Sequence, residues 1–304
     1  MRFELDGLEP DNFLAFLALV GALRILERRR DAWDAKVLWD GTPLRPRLLL
    51  ANNLDKAALC GELAEGIADF RGEYRFTAND IKYTADEFRT LAFEAVAQGR
   101  ERSDLVAALA SDGALKRDDK KNAQVEATAL CTMLGSGHQS FLRRLENAAA
   151  SDTDCETIER ALFEPWTYSD VGESFRWDPV EDRRYAYQAG DPSETANKIG
   201  TVIGANRLAA IGFGIWGTSP TRRGLKTRGV DGYAGTRTIC WPLNDRPAGL
   251  PAIRALLAHP SLTKSPDASP SPIDDLGPYG VRTIARARRY QNDKYFNISR
   301  AQLS

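Results

Sequence analysis

Apolar and polar positions change period along this chain, and the changes predict its elements. Phe3 and Leu5 alternate with polar neighbours in MRFELDG, the period of two of a short strand. A turn at LEPDN follows, where Asp11 or Asn12 can cap a helix starting near Phe13. That helix is apolar almost all round from Phe13 to Leu26, which predicts burial on most faces. AKVLWDGTPLRPRLLL reads as a hairpin turning at Asp40-Gly41.

From Asn53 to about Glu164 the period lengthens to three and four. Segments 54–70, 84–98, 117–134 and 139–149 are predicted helices bounded by Gly, Ser or Asp, and SDTDCETIERALF adds a short capped one. The character changes again at EPWTYSDVGES. Beyond it Gly, Pro and aromatics rise, and strands are predicted at 174–178, 183–188, 236–241 and 281–290. GANRLAAIGF and PAGLPAIRALLAHP read as helices. SPDASPSP, residues 265–272, reads as a mobile surface loop. The fold class is therefore α+β: a helix-rich part with a strand and hairpin, residues 1–170, and a mixed strand- and loop-rich part, residues 171–304, packed as one unit.

Composition agrees with a folded protein: 304 residues, 43% apolar and 27% charged, enough for one large or two moderate domains. Charge adds something the pattern does not. Residues 1–170 hold 22 Lys and Arg against 30 Asp and Glu, whereas residues 171–304 hold 19 against 12. Either the basic second part meets an anionic partner, or the two parts attract each other.

The four cysteines form no C-x-x-C pair, and two histidines leave little for a zinc site, so Cys60, Cys131, Cys155 and Cys240 read as isolated buried thiols of a reducing cytoplasm. Glu4, Asp6, Glu9 and Asp11 precede the first apolar run, where a secretion signal needs positive charge. That run contains Arg24 and falls short of the ~20 residues that span a bilayer.

Most chemical motifs dissolve on inspection. Gly212, Gly214 and Gly217 in GFGIWG match G-x-G-x-x-G, but TSPTRRG follows where a nucleotide-binding helix should open, so they read as turn glycines. GLKT lacks the spacing of a phosphate-binding loop. Ser136-Gly137-His138 puts a hydroxyl beside an imidazole, yet no carboxylate orients the pair, and GSG reads as a break between helices. His259 before Pro260 reads as a helix-terminal cation. No catalytic residue, metal or cofactor is expected.

Three stretches remain. WDPVEDRRYAYQ sets Asp178, Glu181 and Asp182 beside Arg183 and Arg184. The arginines hold the carboxylates ionised and self-neutralise the turn, which argues against acid/base work. TSPTRRGLKTRGVDGYAGTR is a flexible glycine-rich loop bearing Arg222, Arg223, Lys226 and Arg228 against Asp231. It suits phosphate backbones, or is simply solvated. VRTIARARRYQNDKYFNISR carries a basic stripe. As a strand it aligns Arg282, Arg286 and Arg288; as a helix, Arg282, Arg286 and Arg289. Arginine favours directed phosphate contacts, although the stripe could equally face the acidic first part. Asn206 and Arg207, at the head of an apolar helix, are weaker candidates for nucleic-acid contact.

The order LDGLEPDNFLAFLALVGALRIL, GSGHQSFL, WDPVEDRRYAYQAGDPS, GANRLAAIGF and WPL resembles large-subunit-type proteins of type I CRISPR Cascade effector complexes, especially the type I-G group, formerly I-U. The resemblance spans most of the chain and is strongest over 177–210; 304 residues is short for such a subunit. It implies a cytoplasmic, non-catalytic subunit of an antiviral ribonucleoprotein. Its implied partners are guide RNA, target double-stranded DNA near the protospacer-adjacent motif, neighbouring subunits and a separate helicase–nuclease. Two other readings stand beside it: a metal-dependent nuclease or nucleotide-binding enzyme using the 178–184 carboxylates, and a purely structural assembly subunit.

Overall fold

A computed structural model describes residues 1–116, 123–133, 140–172, 174–181, 200–233, 237–292 and 295–304. Its centre is helix α1, Phe13–Arg29, whose side chains are buried without a break from Phe13 to Leu26. Asn12 caps it, accepting from the N–H groups of Leu14 (2.9 Å) and Ala15 (3.4 Å). Arg28 and Arg29 lie in its last turn, where cations suit the helix dipole.

Helix α7, Ile203–Phe213, crosses α1 at backbone distance. A Cβ on Gly21 of α1 would stand 1.8 Å from the Leu208 carbonyl oxygen, and one on Gly212 of α7 would stand 2.2 Å from that of Leu17. Gly212 is therefore a packing glycine inside a helix and not the turn residue that GFGIWG suggests. The one charge in the buried run, Arg24, donates to the Ile211 carbonyl near the end of α7 (2.9 Å) and pairs with Glu101. It thus adds a charged donor to a helix-terminal carbonyl that also takes the Gly214 N–H (3.4 Å).

Around this crossing pack α2 (Lys56–Ala68), α5 (Phe141–Ala150) and α6 (Cys155–Phe163). Two further helices, α3 (Ala85–Gln98, closed by a Thr84/Glu87 capping box) and α4 (Arg100–Leu109), pack on each other. Strands β1 (Arg2–Glu4), β2 (Lys36–Asp40), β3 (Arg45–Leu49) and β10 (Ala248–Gly249) form one antiparallel sheet in the order β1-β3-β2-β10. The second sheet runs β12 (Tyr295–Ile298), β11 (Val281–Asn292), β9 (Arg237–Asn244), β8 (Val230–Asp231), with β13 (Gln302–Leu303) beside β11. Its inner face lies on α1: Trp241 stacks on Phe16 (5.9 Å between ring centres) and meets Phe13 (5.4 Å). Because β10 joins the first sheet and α7 crosses α1, the acidic and basic parts share one core.

Several expected elements differ. The segment 117–134 is not a continuous helix: residues Val125–Ala127 form strand β5 against β4 (Ala110–Leu115), and 117–122 lie outside the described residues. The basic stretch after Trp216 is a hairpin, β6 (Thr218–Thr221) and β7 (Gly224–Thr227), with Arg222 and Arg223 at its turn. Residues 174–178 are not a strand. Arg176 adopts a left-handed φ of 57°, which breaks strand pairing, while Phe175 and Trp177 stack 4.3 Å apart in the core. The Pro/Ser-rich segment ends in a capped turn of helix, α9 (Pro272–Leu276). PAGLPAIRALLAHP forms α8, Leu250–Ala258, as its periodicity predicts. Among the described residues no helix is long and apolar enough to cross a membrane.

The crossing makes a sharp prediction. Gly21→Ala, which drives a methyl into backbone that cannot swing away, should destabilise by about 3 kcal/mol. Gly61→Ala on α2, where an added Cβ meets nothing, should stabilise by about 0.5–1 kcal/mol. Denaturant melts of both variants would check this; equal midpoints would mean that the helices are not in backbone contact.

Candidate nucleic-acid interface

β11 decides the alternative left open for the second basic stretch: it is a strand. Paired against β9 in the register Arg286↔Cys240 and Arg288↔Thr238, it turns Arg286 and Arg288 to the outer face. The residues between them, Ala285, Ala287 and Arg289, turn inward beside Trp241, Ile239 and Arg237. Small alanines at two of these inner positions leave room for Trp241 and the α1 aromatics.

The outer face is concave. The tail carrying β12 and β13 folds along β11, and the 263–266 turn rises opposite, enclosing a cup of about 420 Å³. Arg286 lies across the Cys240 thiol, donating to its sulfur (3.4 Å) and to Ser304 Oγ (3.1 Å). Its Nη2 is buried and, among the described residues, makes no hydrogen bond. Burial holds the Cys240 thiol up at about 11, against the pull of the guanidinium. Arg288 is exposed, and among the described residues its guanidinium makes no hydrogen bond or ion pair; its backbone N–H donates to Ser299 Oγ (3.0 Å).

Other rim cations are engaged. Lys264 pairs with Asp275 (2.6 Å), and Arg300 with Glu9 (2.6 Å) and Asp11 (3.0 Å). Arg237 pairs with Glu126 and Arg254 with Asp104. Part of the charge asymmetry is thus attraction between the two parts of the chain. Arg286 and Arg288 stand outside that pairing.

The remaining candidates separate by burial. Arg289 is an inward cation: it donates to the Cys131 carbonyl (3.1 Å) and lies 3.6 Å from the centre of the Phe296 ring. Burial, reinforced by nearby Arg237, lowers its pKa to about 10. Asn206 is buried too. Its amide donates to Thr201 Oγ1 (2.9 Å) and the Val202 carbonyl (3.1 Å), and its oxygen accepts from the Phe175 N–H (3.3 Å). Neither reaches a ligand, because each satisfies buried polar groups that the helix and sheet leave over. Arg207 holds the 152–153 loop through the Asp152 carbonyl (2.5 Å) and Thr153 Oγ1 (2.9 Å).

In the first basic stretch Lys226 bonds the Val230 carbonyl and faces the Tyr233 ring (5.9 Å), while Arg228 lies against Gly217 near the Ile215 carbonyl (3.5 Å). Arg222 and Arg223 are exposed at the hairpin turn, and Arg282 is exposed beyond an irregularity in β11 pairing; none of the three lines the cup. Sequence reasoning missed Lys264, Ser265, Ser299 and Arg300 as neighbours of the stripe. They reach it through the β9–β11–β13 pairing and the 263–266 turn, which the sequence pattern does not specify.

Asp178 is no solvent-facing carboxylate. It is buried, accepts from the Val180 N–H (2.9 Å) and is flanked by Asn12 and Tyr168; burial raises its pKa against those hydrogen bonds. The side chain of Glu181, Asp182, Arg183, Arg184 and the Ser136-Gly137-His138 triplet lie outside the described residues. His259 stands at the C-terminal end of α8, where its Nδ1 accepts from the Ser261 N–H (3.2 Å). Cys60, Cys131 and Cys240 are buried as expected, whereas Cys155 is half-buried, its thiol donating to the Ala57 carbonyl (3.4 Å).

No protein-family model matches the chain, and no curated protein matches it.

Two predictions follow from burial. Arg289→Ala should cost about 2 kcal/mol through its lost charge-assisted bond and packing. Arg288→Ala should change stability by under ~0.5 kcal/mol. Paired thermal melts and anisotropy titrations with an oligonucleotide should show the first variant losing stability and the second losing affinity.

Asp178 gives a pH signature. A carboxyl raised in the folded state stabilises below its unfolded pKa of about 3.9, and that contribution is lost as pH rises through the folded value. Asp178→Asn should therefore melt higher than wild type at neutral pH, the gap closing toward pH ~4. A gap that widens on acidification would contradict burial as the dominant influence.

Proposed function

We propose that this chain is a non-catalytic, nucleic-acid-contacting subunit of a type I CRISPR RNA-guided surveillance complex. The observation that carries nucleic-acid contact is the outward pair Arg286 and Arg288 in a concave face, on a sheet anchored to the core through Trp241. Cations on a rigid strand hold their spacing, as repeated phosphates require, and no carboxylate among the described residues pairs with either. The motif order from 1 to 243 supports the assignment to a CRISPR effector. In that setting base pairing with the guide reads the target, and the cup meets sugar–phosphate backbone near the protospacer-adjacent motif or along the guide. Exposed Arg222, Arg223 and Arg282 supply further backbone contacts outside the cup.

The enzyme reading has less support, since Asp178 is buried among hydrogen-bond partners. A purely structural subunit would use the same arginines against a partner protein.

The test has two arms. Tagged chain purified from its own cells should carry repeat-derived guide RNA and the other effector subunits. Reconstituted complex should lose target affinity when Arg286 and Arg288 become Ala, with the slope of log affinity against log salt shrinking by about 2. Guide RNA with an unchanged salt slope would leave the structural role standing; absence of guide RNA would sink the CRISPR assignment.

A further inference from the structure

Resting on that reading, the chemistry of the cup says which strand it suits. Beside Arg286 and Arg288 stands Asp231, at the end of β8. Among the described residues its carboxylate makes no ion pair or hydrogen bond, and neither arginine neutralises it. Arg288 and Asp231 thus face one cavity with no pairing among the described residues, and Arg286 lies beside them, its guanidinium held by Cys240 and Ser304 and by no carboxylate. A surface made for phosphate alone is weakened by a carboxylate, which repels every phosphate near it. The combination suits a ligand that alternates an anion with a hydrogen-bond donor.

Ribose phosphate has that alternation. Its phosphate accepts from guanidinium groups, and its 2′-hydroxyl can donate to a carboxylate, the feature by which proteins separate RNA from DNA. The rest of the lining agrees. Thr238 and Ser265 offer hydroxyls, and among the described residues no aromatic ring lines the cup to give bases a stacking platform. A volume of about 420 Å³ takes a short piece of one strand and is far too small to seat a duplex.

We propose that the cup binds the backbone of single-stranded RNA, with phosphate on Arg286 and Arg288 and a ribose 2′-hydroxyl on Asp231, without reading bases. The full chain should be titrated by fluorescence anisotropy with oligo-rU, oligo-dU and 2′-O-methyl oligo-U of equal length. Oligo-rU should bind about tenfold tighter than oligo-dU, the loss expected for one charge-assisted hydrogen bond. The methylated strand should lose that preference. Asp231→Ala should abolish it by weakening RNA binding alone, leaving oligo-dU binding equal or tighter. Arg286→Ala with Arg288→Ala should weaken both strands, with circular dichroism confirming that each variant is folded.

Equal wild-type affinity for oligo-rU and oligo-dU overturns the ribose assignment and leaves the phosphate contact intact. A duplex bound more tightly than either strand overturns the single-strand assignment. Binding that is absent in the wild type, or unchanged in the double arginine variant, overturns both this proposal and nucleic-acid contact at the cup.

Discussion

The fold depends on two helices touching backbone to backbone. Where α1 crosses α7, Gly21 and Gly212 remove the side chains that ordinarily hold helix axes 8–10 Å apart. Such an approach turns α1 into a buried rod with little room for error. Its aromatic face must then fit the second sheet, and Arg24 must meet the Ile211 carbonyl near the end of α7. The position of β9, and through it β11, follows from that contact. The cup is remote from the crossing, yet its floor is the reverse side of a sheet whose inner face is seated on α1.

β11 shows how one strand serves both needs. Alternation sends Arg289 into the core and Arg288 into the cup, although the two are neighbours of the same residue type. The difference between them is environment. Arg289 has a carbonyl and an aromatic ring to compensate its burial, and its proton affinity falls all the same. Arg288 has water. Residue type alone therefore says nothing about which arginine meets a ligand; the face does.

That distinction also marks what was legible in the sequence. Local signals read true wherever a single element determines them: the all-apolar run of α1, the Asp40-Gly41 hairpin, Asn12 as a cap, and the helical periods of α2, α3, α5 and α8. They failed where a distant neighbour decides. Gly212 looks like a turn residue until α1 lies against it, and the polarity of Asn206 suggests a ligand until Thr201 and Phe175 supply its partners. The 282–289 stripe fits two periods, and only pairing with β9 selects one. The cup was invisible for the same reason: Asp231, Lys264, Arg286 and Ser299 are brought together by sheet pairing and a loop, with nothing in their spacing to announce it.

The 263–266 turn carries one further consequence. It forms a wall of the cup but belongs to neither the α1–α7 crossing nor the β9–β11 ladder. Residues inserted there would deepen or narrow the cavity at the modest entropic cost of a longer loop, whereas a single insertion within β11 would exchange its inner and outer faces. Cavity size and protein stability are therefore separately adjustable in this molecule, and the short segment around Ser265 is where drift or engineering can change one without disturbing the other.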